Sequence, residues 1–244
     1  MTRIHTFPPM PLLADPPAWN EVHAVGLPPR EVGRSYLGNS INLYHAMRAN
    51  ILVLGGVHGD ESEGIFLAQL LLRHQSEVPV LPCLNPDGAM LRQRWNGRNV
   101  DHNRNLPTPD WKAEALNPRY PPGSEPGSEP ETAAFLHAMD VVNPSMVLSL
   151  HSYGDSFLEV ERPPDSLPDT INILADEMVR ALKIERKNSV GYPTPGALGS
   201  FAWANGLLVF TLELKRGASH NEIFDILPIV WRFIARANGE RFSA

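Results

Sequence analysis

Apolar residues in this chain fall in short runs separated by turn-forming and polar stretches. Residues 51–54 are continuously apolar, as in a strand buried on both faces, and Gly55 and Gly56 close the run with a sharp turn. Over 61–74 the apolar positions Ile65, Leu67, Ala68, Leu70, Leu71 and Leu72 predict a well-buried helix. Residues 78–84 read as another buried strand, and Asn85-Pro86-Asp87-Gly88 as a turn. Upstream, 33–40 reads as a turn between two short strands, with 41–44 alternating in strand fashion. Ser128 followed by Glu131 fits a capping box, so a helix is predicted from about 129 to 141, broken by Pro144.

The second half repeats the alternation. Residues 146–150 form a strand with His151 directly at its end, 168–182 a helix, and 189–200 a loop rich in glycine and proline. A short helix over 201–205 ends at Gly206, a strand over 207–214 carries Glu213, and 221–237 form a last helix. Strands alternating with helices predict one α/β domain: a central, twisted, mixed but largely parallel sheet flanked by helices. Residues 1–30 are proline-rich without a period and read as an extended segment packed on that domain, so 1–244 is taken as one unit. Residues 89–127 are polar, aromatic and proline-bearing, and connections of that length tend to be functional.

Composition narrows the class. The chain has 244 residues and 43% hydrophobic content, enough for a full core. A net charge of -6 offers no basic face for nucleic acid. A single cysteine, Cys83, excludes an intramolecular disulfide framework and reads as a buried small residue. No window is long and apolar enough to span a membrane, and the first residues lack the apolar core of a signal peptide, so the expectation is a cytoplasmic protein. The oligomeric state is left open.

The candidate chemistry begins after the first buried strand. His58 and Glu61 stand three apart where a helix begins, which puts them on one face of a turn. An imidazole and a carboxylate so placed hold one Zn²⁺ if a third ligand arrives from elsewhere. Sites in open α/β sheets form beyond the carboxyl ends of strands, and both His58 and His151 follow strands. Each signal alone is common; a lone histidine at a strand end is more often structural. Glu213 is flanked by Leu212 and Leu214, so alternation turns it to the opposite face, either to solvent or into a site at the strand's end.

Several pieces agree in order and approximate spacing with one family. His58-Gly59-Asp60-Glu61, Asn85-Pro86-Asp87-Gly88, Arg94-Trp95-Asn96, Val100-Asp101-His102-Asn103-Arg104-Asn105, His151 and Phe210-Thr211-Leu212-Glu213-Leu214 resemble the zinc metallocarboxypeptidases. The resemblance covers roughly 33–215. It implies that His58, Glu61 and His151 hold one zinc ion per chain and that Asp101 steadies a ligand imidazole. It further implies Glu213 as the catalytic glutamate and Arg94 as the cation facing the developing oxyanion. Asn103 and Arg104 would grip the substrate's terminal carboxylate, and Tyr192 would close over the substrate. Gly33-Arg34-Ser35, Leu37-Gly38, the doubled Gly-Ser-Glu-Pro at 123–130 and Gly191-Tyr192 resemble a compact bacterial branch of the family. That branch implies a small peptide substrate from cell-wall recycling, cut in the cytoplasm between γ-D-glutamate and meso-diaminopimelate. Two departures stand out: His102 where the family has a small or apolar residue, and Asn99 where close relatives have glycine. The rival readings are a zinc acylase of the aspartoacylase or succinylglutamate desuccinylase type, which shares the Gly-Gly-x-His-Gly-x-Glu start, and an inactive peptide-binding relative. His5, His23, His45, His74, His137 and His220 fit no ligand pattern.

Overall fold

The computed structural model describes residues 28–73, 78–162 and 166–239. The expected proline-rich segment therefore lies, as far as residue 27, outside the described residues. In chain order the strands are β1 (Arg30–Arg34), β2 (Ser40–Leu43), β3 (Ile51–Gly55), β4 (Val80–Leu81), β5 (Met146–Tyr153), β6 (Phe157–Val160), β7 (Glu185–Lys187) and β8 (Leu208–Lys215). The helices are α1 (Ser62–Arg73), α2 (Pro86–Leu91), α3 (Pro130–Val142), α4 (Asp169–Leu182), α5 (Leu198–Ala204) and α6 (His220–Gly239). A 3₁₀ turn spans His102–Arg104.

Strand order in the main sheet is β4-β3-β5-β8-β6-β7, and β1 and β2 form a separate antiparallel pair. All pairings in the main sheet are parallel except β6 with β8. This is the mixed, largely parallel α/β sheet expected. Along β5, Met146, Leu148 and Leu150 point into the core shared with α1, α4 and α6. Val147 points to the other face, where α3 and α5 pack. Residues two apart share a face, so Ser149 and His151 lie on the α5 side with Val147. By the same rule Val209, Thr211 and Glu213 of β8 face that side, and Leu212 and Leu214 are buried on the opposite one. No helix among the described residues is long and apolar enough to cross a membrane.

Several local expectations are corrected. Asn85-Pro86-Asp87-Gly88 opens α2 rather than a turn. The Asn85 side chain accepts the Gly88 N–H at 2.8 Å, and Pro86 occupies the first turn, where its missing N–H costs nothing. The capping box at α3 does not form, although the helix does. Ser128 Oγ bonds Glu129 Oε1 and Asn105 Nδ2, and Glu131 receives Asn96 and the Tyr36 N–H. Long-range partners have taken both side chains the box requires. The strand expected over 78–84 shrinks to Val80–Leu81, bounded by Pro79 and Pro82, which have no N–H for a ladder. His151 lies inside β5, not after it. β6 and β7 were not anticipated; one is four residues long and the other is Glu-Arg-Lys.

Gly64, in the first turn of α1, lets that helix rest on the main chain of β5. A Cβ there would stand 2.5 Å from the Leu150 carbonyl oxygen and 3.3 Å from the His151 nitrogen. Helix propensity alone favours alanine over glycine by ~1 kcal/mol. The packing reverses that sign: Gly64→Ala is expected to destabilise the fold by roughly 1–3 kcal/mol. Urea unfolding measures it, and a gain in stability would refute the close approach of α1 to β5.

Candidate active site

The turn after β3 carries the first two candidate ligands. Gly56 adopts φ +61°, and a Cβ there would collide with Cys83 and Ile65. The turn is tied down by its main chain: Leu84 N–H donates to Gly55 O, Asn85 N–H to Gly56 O and Glu61 N–H to His58 O. Glu61 immediately precedes α1, and His151 enters from the neighbouring strand β5.

Both imidazoles present Nδ1 inward. His58 Nδ1 lies 2.8 Å from Glu61 Oε1, His151 Nδ1 2.8 Å from Glu61 Oε2, and the two Nδ1 atoms 3.2 Å from each other. The outer nitrogens are occupied: His58 Nε2 meets Asp101 Oδ1 at 3.2 Å, and His151 Nε2 meets Ser149 Oγ at 2.9 Å. With the outer N–H groups donated to those oxygens, the inner nitrogens offer lone pairs toward a carboxylate. Three lone-pair donors facing one another repel unless a cation stands among them. Two imidazoles and a carboxylate, all buried, are a zinc donor set, and the held outer nitrogens are the usual support for it.

Asp101, fully buried, also accepts Arg94 Nε at 2.8 Å and the Asn103 N–H at 2.9 Å. Burial would raise its carboxyl, yet Arg94 and His58 hold it well below the usual carboxylate range. Burial acts on Glu61 in the same direction, and the two imidazoles overcome it, leaving Glu61 ionised. Arg94 reaches Glu61 Oε1 at 3.4 Å and so stands beside the donor set. Glu213 lies opposite His151 in the β5–β8 register. Burial, offset in part by His151 and reinforced by Glu61, pushes its carboxyl up to about 7. Its Oε2 is buried without a hydrogen-bond partner among the described residues.

Arg104 and Asn103 follow on the 3₁₀ turn. Asn103 Oδ1 accepts the Leu198 N–H at 2.8 Å. That bond fixes the amide beside the cleft. Tyr120, missed in the sequence, lies between the two arginines, with Arg94 5.0 Å and Arg104 4.8 Å from its ring centroid. Tyr192 stands at the mouth, 50% exposed, its ring parallel to that of Tyr120 at 6.4 Å. All the sequence-nominated residues except Asp101 line one cleft of about 420 Å³, and Asp101 supports it from behind. His102 is buried, pushed down to about 4 by burial; its nitrogens make no hydrogen bond among the described residues, although Nε2 lies 3.5 Å from Glu131 Oε2. It faces an apolar patch with Leu54, Val57 and Phe135 and does not join the donor set. His137 bonds the Val32 carbonyl, while His5, His23 and His74 lie outside the described residues. Burial pushes the Cys83 thiol up, away from nucleophile behaviour. Glu159, Glu161 and Lys187 also line the cleft and were not foreseen. The available signal was two glutamates alternating with Leu158 and Val160.

Residues 29–222 match the zinc carboxypeptidase family profile. The chain belongs to the zinc carboxypeptidase family. It is 34% identical to murein peptide amidase A of Escherichia coli (strain K12) over 199 residues, 74% of this chain and 78% of that protein. It is 27% identical to murein peptide amidase A of Vibrio campbellii over 204 residues, 76% and 79% of the two chains. The crystal structure of murein-tripeptide amidase MpaA from Escherichia coli O157 superposes with a TM-score of 0.71 at 28% identity, covering 92% of this chain and 96% of that one. The carboxypeptidase A of Helicoverpa armigera shares the fold, with a TM-score of 0.65 at 18% identity over 87% and 69% of the chains. As a zinc carboxypeptidase relative the chain is a hydrolase whose cofactor is zinc, and neither the acylase nor the inactive-relative reading is favoured.

The raised Glu213 pKa gives a pH signature for chelator-treated protein. Its folded value, about 7, lies above an ordinary carboxyl, so between roughly pH 4.5 and 7 the native state holds more protons than the unfolded chain. Stability contributed by protonated Glu213 is present at the acid end of that window and lost as pH rises through 7. Chelator-treated parent is expected to lose ~1–3 kcal/mol relative to Glu213→Gln between pH 5 and 8. Parallel urea titrations at both pH values test it, and equal slopes for the two proteins would refute it.

Proposed function

We propose that this chain is a murein peptide amidase that cleaves the bond between γ-D-glutamate and meso-diaminopimelate. The similarity to murein peptide amidase A over about three quarters of both chains carries this reading. The charge of the cleft is consistent with it, since Arg94, Arg104 and Asn103 together suit a carboxylate-rich peptide.

In this reading His58, Glu61 and His151 would hold zinc, which would supply Lewis-acid chemistry at the scissile carbonyl. Glu213 takes a proton from the attacking water and passes it to the leaving amine, work suited to a group titrating near neutrality. The Arg94 guanidinium, fixed by Asp101, meets the negative charge that develops on the carbonyl oxygen. Arg104 and the Asn103 amide grip the free carboxylate beside the scissile bond, for which a planar fork is well shaped. Asp101 keeps the His58 proton on Nε2 and the lone pair on Nδ1. Tyr192, at the mouth, closes over bound substrate.

Zinc-loaded protein is expected to release diaminopimelate from L-Ala-γ-D-Glu-meso-diaminopimelate, and Glu213→Gln to lower kcat by roughly 10²–10⁴-fold. Failure of the parent to release it, with one zinc per chain, would refute the substrate; an unchanged kcat in the variant would refute the role of Glu213. We also infer a cytoplasmic site of action, which the recycling branch implies. Cell fractionation with activity assay checks it, and activity confined to the periplasmic fraction would overturn it.

A further inference from the structure

The cleft extends past the groups needed to break a bond. On the site face of the sheet, two rows of side chains cross the strands. His151, Glu213 and Phe157 form one row, being Cα partners across β5, β8 and β6. Ser149, Thr211, Glu159 and Lys187 form the next, across β5, β8, β6 and β7. The rows are two residues apart, or ~7 Å along the strands. Glu161 lies one further step along the same face of the chain leaving β6.

Three features of this second row are unexplained by the hydrolysis itself. Glu159 is only 4% exposed, and its one hydrogen bond among the described residues comes from the Val190 N–H. Burial raises its carboxyl. An ionised carboxylate accepts several bonds, and a buried one left short of donors is costly. Glu161 receives no hydrogen bond among the described residues, and burial with the nearby Glu159 pushes it up to about 7. Gly199 is where its carboxylate lies: any Cβ at 199 would collide with it. Third, Lys187 stands on the same wall, its ammonium 4.1 Å from the Phe157 ring centroid and 3.5 Å from the exposed Glu185 carboxylate, a partner a substrate anion can replace.

Resting on the murein reading, we propose that Glu159, Glu161 and Lys187 determine specificity by binding the zwitterionic far end of the released residue. The two carboxylates take its ammonium, and Lys187 takes its companion carboxylate. An ammonium carries three donors and can bridge Glu159 and Glu161, supplying the bonds both lack. A residue held by its near carboxylate at Arg104 and joined by a short methylene tether to a second amino-acid head fits both ends. Diaminopimelate has that chemistry. Lysine lacks the far carboxylate, and 2-aminopimelate lacks the far ammonium. The far-end charges are recognised together, so the site discriminates by both signs rather than by length.

The experiment compares L-Ala-γ-D-Glu peptides ending in meso-diaminopimelate, L-lysine or L-2-aminopimelate, with zinc-loaded parent, Glu161→Gln and Lys187→Met. For the parent, kcat/KM is expected to be about 10–100-fold higher with diaminopimelate than with 2-aminopimelate, the scale of a lost charge-assisted hydrogen bond. Glu161→Gln should cut the diaminopimelate value by a similar factor and leave 2-aminopimelate unchanged. Lys187→Met should cut diaminopimelate and leave lysine unchanged. Equal kcat/KM for all three substrates, or a Glu161→Gln loss equal on all three, would overturn this proposal while the murein reading stands. Release from none of them by protein with one zinc per chain would overturn the murein reading, and this proposal with it.

Discussion

The site depends on the parallel register of three strands. β3, β5 and β8 pair so that Gly55 stands opposite Leu150 and His151 opposite Glu213. The turn after β3 therefore delivers His58 and Glu61 beside the end of β5, where His151 waits. A slip of one residue in β5 would turn His151 into the apolar core and bring Leu150 to the site. That slip is resisted by Leu148 and Leu150 on one face, by Val147 on the other, and by Gly64 pressed on the Leu150 carbonyl. The chemistry thus inherits its precision from burial of aliphatic side chains, which has no directional preference of its own.

Electrostatics then decides which charges survive that burial. Glu61 and Asp101 are deep enough to be neutralised by desolvation, but each has cationic or imidazole partners and stays ionised. Glu213 has His151 and Arg94 near it, but they do not outweigh burial and the Glu61 charge, and it is left at about 7. Carboxylates in and around the cleft are thereby sorted into groups that stay ionised and groups that hold a proton nearer neutrality by what stands beside them. Tyr120 performs a related service for Arg94 and Arg104, separating two like charges with an aromatic face that attracts both.

Much of this could be read from the chain, and the exceptions share a cause. Apolar runs marked β3, β5 and β8, and the motif order nominated His58, Glu61, Arg94, Asn103, Arg104, His151, Tyr192 and Glu213, which line the cleft, but not Tyr120, Glu159, Glu161 or Lys187. Features fixed by distant partners were not legible. Ser128 and Glu131 looked like a local cap but are claimed by Asn105, Asn96 and the Tyr36 main chain. β6 is only four residues long and β7 is the polar Glu-Arg-Lys; β6 forms on the edge of β8 and β7 on the edge of β6. Tyr120 sits in a long polar loop and acquires meaning only where two arginines bracket it. His102, a departure from the family pattern, is buried beside an apolar patch and stays out of the donor set.

Asp101 touches both the His58 side and the Arg94 side of the cleft. One oxygen meets His58 Nε2 and the Asn103 N–H, and the other meets Arg94 Nε. A metal ion and a substrate anion bound at opposite sides of it would be thermodynamic partners, each altering the affinity of the other by the same factor.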